Sequence, residues 1–369
     1  MEIKIIEESS DMVATSFSVG AFEGCDAPLS KGTFRYRSTV FGNGYIKTMT
    51  AGAVATPVHL RRGGNVRKIF EYMHKKAYED GVLSAILHPF SFAYYNKFGY
   101  EKVSDHLIVR FPIRYLDFLP RRCTLVPYTE DMLGDIVSVY ERFSMGRGLM
   151  FERKSSEQFT RYKDSMTYVY YEGGSAEGYI TYKTDKTLAV NHYEEGVMTV
   201  YELVYTSPSA LKELLSFIRM YEGELEDVEF SNLGMTPEVD MLFRNYTHTR
   251  YKLLPDIAAK IINTEEMLKT NSYPEKEGAL TICVPEGDEG VRGSFKIEWG
   301  GGDRKVTRLA EGASVDARIS PTALARLLYG YDMLTPLALP YLNGAYLDGN
   351  HEGFIAAFPK KNVGVFEHF

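Results

Sequence analysis

Arg61-Arg62-Gly63-Gly64-Asn65-Val66-Arg67 sets three guanidinium groups around a pair of glycines, between two segments of different period. Before it, Ala51 to Val58 is an apolar run that reads as a buried strand. After it, Val66, Ile69, Phe70, Met73 and Ala77 recur at helical spacing, with Arg67, Lys68, Glu71, Lys75, Lys76 and Glu79 between them. A glycine-bearing turn that opens a helix directs backbone N–H groups into one concavity, and the helix dipole favours an anion there. With arginines beside it, the turn reads as a pyrophosphate cradle made by Arg61, Arg62, Gly63, Gly64, Asn65, Val66 and Arg67. The plainer reading of the same residues is a basic turn that caps a helix for solubility.

The next elements bear on that choice. Val82 to His88 is a second buried strand, so strand, helix and strand make a unit whose parallel strands need a crossover helix. Pro89-Phe90-Ser91-Phe92-Ala93-Tyr94-Tyr95-Asn96-Lys97-Phe98-Gly99-Tyr100 follows. Arg61-x-x-Gly64-x-Val66 resembles the Arg/Gln-x-x-Gly-x-Gly/Ala acyl-CoA signature of GNAT acetyltransferases, with Val66 in place of the last small residue. The Tyr-x-x-Phe-Gly-Tyr run resembles the segment that closes the acyl-CoA cleft in that superfamily. The whole block from Ala51 to Tyr100 resembles the Eis-type acetyltransferases.

That resemblance implies an α+β or α/β architecture: two tandem GNAT-like domains, the first catalytic and the second degenerate, followed by a C-terminal domain similar to sterol carrier proteins. It implies acetyl-CoA as cosubstrate, no metal, and a primary-amine acceptor such as an aminoglycoside, a polyamine or a lysine side chain. Val54, Ala55 and Thr56 would then offer backbone groups to the pantetheine amides, and Tyr95 would protonate the departing thiolate. In the Eis type the chain ends in Phe, whose α-carboxylate is the general base, and Phe369 matches that position. Without the resemblance, Tyr95 reads as a core aromatic and the apolar tail from Val363 to Phe369 as a plug for a hydrophobic seam. A homo-hexamer built from trimers is also implied.

Composition fits this layout. A chain of 369 residues exceeds one ordinary core. It divides as 1–118 (catalytic), 119–270 (degenerate) and 271–369 (sterol-carrier-like). No apolar run approaches the ~20 residues of a membrane span. The acidic start MEIKIIEESSDM lacks the basic-then-apolar order of a signal peptide, which points to a cytoplasmic location. Cys25, Cys123 and Cys283 are scattered and read as reduced core thiols rather than a disulfide or metal set. The net charge of −7 argues against nucleic acid and suits a cationic substrate. His59 and His88, beside the cofactor strands, read as surface or packing residues rather than bases.

In the second segment a helix is expected over 129–143 and strands over 166–171, 178–183, 197–205 and 227–231. Ser207 and Pro208 open a further helix. The turn from Tyr205 to Lys212 carries no glycine and no guanidinium, and Pro208 removes an N–H, so this copy is expected not to hold the cofactor. The third segment reads as strands over 279–284, 293–299 and 305–308, then a helix from Ser320-Pro321. Before Ala51 the chain looks extended, with a hairpin turn at Phe41-Gly42-Asn43-Gly44-Tyr45. No amphipathic helix precedes Val66, although a complete GNAT fold places two there as part of the acceptor wall. Either the start of the protein is missing from the chain or that wall is built differently. Three functions are compatible: an N-acetyltransferase, an acyl-CoA-binding protein without turnover, and a lipid carrier acting through the C-terminal domain.

Overall fold

A computed structural model describes residues 1–24, 26–185, 196–232, 245–331 and 344–367. The chain forms two compact units, one of residues 1–104, 146–152 and 256–369, the other of 105–145 and 153–255.

The first unit holds a seven-stranded sheet in the order β1 (Glu2–Ser10), β2 (Thr15–Phe22), β3 (Ser30–Phe41), β4 (Gly44–Ala55), β5 (Ser84–Leu87), β15 (Ala258–Ile261), β6 (Glu101–Lys102). The first four strands are an antiparallel meander. Gly42-Asn43 closes the β3–β4 hairpin, with Gly42 at φ 61° and Phe41 paired to Gly44. Strand β4 then runs parallel to β5, and α1 (Asn65–Glu79) is the crossover. Helix α1 buries Ile69, Phe70, Met73 and Ala77, the face its sequence period marks out. Strand β5 is buried on both sides: Ala85 and Leu87 join the core under α1, and Ile86 joins a second core.

The run from Ala51 to Val58 is not a separate buried strand. It is the last part of β4, where burial alternates, and it ends at Ala55; Val58 is exposed in a short 3-10 turn. The cause is pairing. β4 meets β5 only over Thr48–Thr50, so beyond that point one side of the strand has no neighbour.

The second core carries a five-stranded sheet in the order β18 (Asp303–Leu309), β17 (Gly293–Gly300), β16 (Gly278–Val284), β19 (Ala317–Ile319), β20 (Ala345–Leu347). Helices α5 (Thr264–Thr270), α6 (Pro321–Tyr329) and α7 (His351–Ala357) contribute Met267, Leu324, Leu328 and Phe354 to it, against Ile282 and Ile297. Two short strands, β9 (Arg147–Gly148) and β21 (Asn362–Val363), pair in parallel and lead into the last described residues.

The second unit is a seven-stranded sheet in the order β14 (Arg250–Pro255), β7 (Asp105–Pro112), β13 (Asp227–Phe230), β12 (Val197–Tyr205), β11 (Ser175–Asp185), β10 (Met166–Glu172), β8 (Leu125–Pro127). Helix α3 (Leu133–Ser144) packs on β11 and β12, and α4 (Pro208–Arg219) crosses between the parallel pair β12 and β13. Its interior carries charge. Arg153, fully buried, makes a two-point contact with Glu202 at 2.8 and 2.9 Å, and Tyr179 donates to the same carboxylate at 2.7 Å. Burial by itself would raise the Glu202 carboxyl, but Arg153 and Arg161 overcome it and hold the group down to about 2.

Chain order and sheet order part company at two strands. β7 comes from the stretch that reads as the end of the first segment, yet it pairs with β13 and β14. β15 comes from the second segment, yet it lies between β5 and β6. The thiols also differ from expectation. Cys123 is exposed and Cys283 half-buried, so neither is a core thiol, although both are free; Cys25 lies outside the described residues.

Candidate active site

The first unit opens a cleft of about 800 Å³ where β4 and β5 separate. It is lined by Val54, Ala55 and Thr56, by Leu60 and the turn from Arg61 to Arg67, and by Phe90, Tyr94, Tyr95, Lys97 and Phe98. All the residues singled out for cofactor binding, together with Tyr95, therefore meet in one concavity. Parallel strands of an α/β sheet bind ligands beyond their carboxyl ends, and this is such a place.

The turn is shaped by two left-handed residues, Arg62 at φ 71° and Gly64 at φ 76°. Gly64 is the N-cap of α1 and has no side chain to spend on capping, so the first N–H groups of the helix receive no side-chain bond. Those donors are what an anion would accept from. Arg61 is anchored by its Nε, which donates to the Thr56 carbonyl at 3.2 Å; its terminal nitrogens remain as donors. Arg67 lies with its guanidinium carbon 5.5 Å from the centre of the Phe98 ring, and Phe98 stacks on Phe70 at 5.1 Å.

Tyr95 sits on the short helix α2 (Phe92–Asn96), whose N-cap Ser91 accepts from the Tyr94 N–H at 3.3 Å. It is the buried residue of that helix, ringed by Phe70, Phe90, Tyr94, Phe98 and Tyr100. Burial, assisted by Tyr94, pushes its phenol up to about 12, so it carries its proton throughout the neutral range. Its hydroxyl has no hydrogen-bond partner among the described residues. Tyr94 lines the same cleft and is less deeply buried.

Sequence reading passed over Leu60, Phe90, Lys97 and Phe98 as cleft residues. Lys97 and Phe98 were within the Tyr-x-x-Phe-Gly-Tyr run; nothing local marks Phe90, which is exposed and meets the rings of Tyr94 and Tyr95. Also unforeseen is His74, buried on α1 against the Tyr100 hydroxyl at 3.0 Å, where desolvation keeps its imidazole well below the usual range and hence neutral. His59 is exposed. His88 is engaged: its Nδ1 lies 3.0 Å from Asp256 Oδ1 and its Nε2 lies 3.2 Å from the Glu367 carbonyl. Phe369 and His368 lie outside the described residues. Among the described residues no group of three or more His, Cys, Asp and Glu side chains is placed to hold a metal ion, and no helix is long and apolar enough to cross a membrane.

Two family models match this chain, both described as an acetyltransferase (GNAT) domain, over residues 2–103 and 148–261. No curated protein matches. Among solved structures, a GCN5-related N-acetyltransferase from Anabaena variabilis ATCC 29413 superposes with a TM-score of 0.80 at 15% identity, over 96% of this chain and 89% of that one. A probable N-acyltransferase from Enterococcus faecalis V583 gives 0.76 at 18%, with coverages of 96% and 89%. Eis1 from Mycobacterium abscessus gives 0.77 at 16%, with 95% and 91%. The likeness to these structures is one of fold; the two matched domains supply the class, and the chain is an acyltransferase carrying two GNAT acetyltransferase domains.

Proposed function

We propose that this protein transfers the acetyl group of acetyl-CoA to a primary amine, with the first GNAT domain as the catalytic one. The observation that carries the reading is the uncapped N-terminus of α1, opening into a cleft beside Arg61, Arg62 and Arg67. These residues fit a pyrophosphate: main-chain N–H groups and guanidinium donors face one concavity, and among the described residues no Asp or Glu lines it. The parting of β4 from β5 after Thr50 supports the second half of the fit, since the backbone of Val54, Ala55 and Thr56 is then available to the pantetheine amides.

An ammonium has no lone pair, so the acceptor must lose a proton before it attacks the thioester carbonyl. The carboxylate of Phe369, directly or through water, is the proposed proton acceptor. In support, Glu367, two residues earlier, is buried with its carbonyl against His88 at the carboxyl end of β5, the sheet edge that carries the cleft. Two residues of extended chain beyond Glu367 span at most about 7 Å. Tyr95 is the proposed acid, its phenol hydrogen-bonding to the sulfur as charge builds there and the C–S bond breaks. Aminoglycosides, polyamines and lysine side chains are the acceptor classes that suit an acidic protein.

The C-terminal part reads as a sterol-carrier-like scaffold. Its sheet and helices pack into a closed core with Leu280, Ile282 and Leu324 at zero exposure, which favours scaffold over lipid carriage. A cytoplasmic hexamer completes the proposal. Calorimetry with coenzyme A tests it: wild type should bind, and Arg61→Ala should weaken binding about tenfold, the scale of one charge-assisted phosphate contact. Absence of binding heat in the wild type would refute the proposal.

A further inference from the structure

His88 follows β5 directly, and its ring lies between two oxygens. The antiparallel register that pairs Leu87 with Ala258 brings Asp256 alongside it. Asp256 is itself fixed: its N–H donates to the Ser104 carbonyl at 3.1 Å, and the next N–H, of Ile257, donates to Ser104 Oγ at 3.1 Å. The Glu367 carbonyl can only accept, so Nε2 must be the donor of that 3.2 Å contact. Nδ1 then faces the Asp256 carboxyl at 3.0 Å. Asp256 thus holds the orientation of the imidazole, and the Glu367 carbonyl fixes Nε2 as the nitrogen that donates to it. What His88 grips is the main chain of the C-terminal segment, in which Val365, Phe366 and Glu367 are all buried. Upstream, that segment is held by the β9–β21 pair and by the Gly364 N–H donating to Gly148 at 3.1 Å.

We propose that His88, oriented by Asp256, is the positioning residue that seats the C-terminal segment at the catalytic end of β5. The bond is one tie of the described segment to the carboxyl end of β5, and His88 stands seven residues before Tyr95 in sequence. Main-chain recognition makes the seat independent of the side chain at 367. A catalytic consequence rests on the reading that Phe369 is the base; the seating itself does not.

Two readouts separate these. Amide hydrogen exchange reports the seat, and steady-state kinetics with acetyl-CoA and an accepted amine report its use. In His88→Ala, exchange of the amides at 365–367 should rise about tenfold, the scale of one lost hydrogen bond, while Ser84–Leu87 exchange as in wild type. The kcat should fall with the KM for acetyl-CoA held within about twofold, because the cradle on α1 is untouched. His88→Gln keeps an N–H donor at the position of Nε2 and should restore both protection and most of kcat. Unchanged exchange at 365–367 in His88→Ala overturns the proposal, as does a rise shared equally by β5 or a failure of Gln to restore protection. A loosened segment with undiminished kcat upholds the seat and instead removes Phe369 from the mechanism.

Discussion

Tyr95→Phe removes one oxygen and keeps the ring that Phe70, Phe90, Tyr94, Phe98 and Tyr100 surround. The hydroxyl has no hydrogen-bond partner among the described residues, so the variant should fold as wild type, with Tm within about 2 °C. The catalytic loss can be bounded from acidity. Burial sets the phenol at about 12, whereas an ordinary thiol lies near ~8.5. Full proton transfer to the thiolate is therefore uphill, and Tyr95 acts mainly by a hydrogen bond that strengthens as charge builds on sulfur. General acids contribute roughly 10²–10⁴-fold, and a donor this weak belongs at the lower limit, about 10²-fold or ~3 kcal/mol. A thiol-release assay at saturating acetyl-CoA reads it, with Tyr94→Phe, expected within about threefold of wild type, as the control. The phenol keeps its proton below about pH 12, so the alkaline limb of the rate profile between pH 7 and 10 should keep its midpoint in Tyr95→Phe. Retention of kcat within threefold, or a displaced alkaline limb, would refute the assignment of Tyr95 as acid.

Adding residues after Phe369 should cut kcat by about 10² while leaving coenzyme A affinity within about twofold in calorimetry, because a general base is lost but no phosphate contact is. Arg153→Met should lower stability by roughly 3–5 kcal/mol in urea titration, since it leaves the buried Glu202 carboxylate with reduced compensation, while the acetyl-CoA KM stays put. Lys361 donates to the Leu328 carbonyl at 2.8 Å and to Asn271, and burial pushes its ammonium down to about 8 from 10.5. The unfolded chain then holds this proton to higher pH than the folded one, so the contribution of Lys361 to stability grows as pH rises from about 8 towards 10.5. Denaturation midpoints at about pH 7.5 and 9.5 should show wild type gaining on Lys361→Met over that interval.

The parts of the fold that were legible in the sequence are those governed by local pattern. The α1 face, the Gly42-Asn43 hairpin, the Ser207 and Ser320 caps and the strand from Val197 to Tyr205 all follow from spacing or turn chemistry over fewer than a dozen residues. The stretch before Val66 was legible as extended, and the structure shows strands and one 3-10 turn among its described residues. The β7 and β15 placements were not legible. Asp105–Pro112 and Ala258–Ile261 have ordinary strand compositions, and which sheet each joins is settled by partners far away in sequence. The same holds at the site. The cradle turn and Tyr95 are consecutive motifs, whereas the contacts of His88 with Asp256 and Glu367 join residues that no local window contains. Cys123 misled for the opposite reason: an isolated thiol is usually buried, but the strand it precedes is at the edge of its sheet.

The two strand–helix–strand units differ most in how their crossover helices begin, and this is why the proposed cradle falls in one copy only. In the first unit ten residues, Thr56–Asn65 inclusive of the helix's first position, lead from β4 into α1, and the cap is a left-handed glycine with nothing to donate or accept beyond its backbone. In the second, β12 ends at Tyr205 and α4 begins at Pro208. There Ser207 Oγ already accepts from the Ala210 N–H at 3.0 Å, and Pro208 has no N–H to give. A helix N-terminus has a few orphan donors, and what satisfies them is a choice between its own side chain and an external anion. Ser207 makes that choice internally and gains stability on the order of 1 kcal/mol for the fold. Gly64 makes no such cap and leaves those donors open to the proposed ligand. An added Cβ at Gly64 would meet nothing within 4 Å, so crowding does not require the glycine there; the left-handed backbone that aims the turn into the cleft does. The first domain thus gives up local stability at the one position where binding a diphosphate would return it.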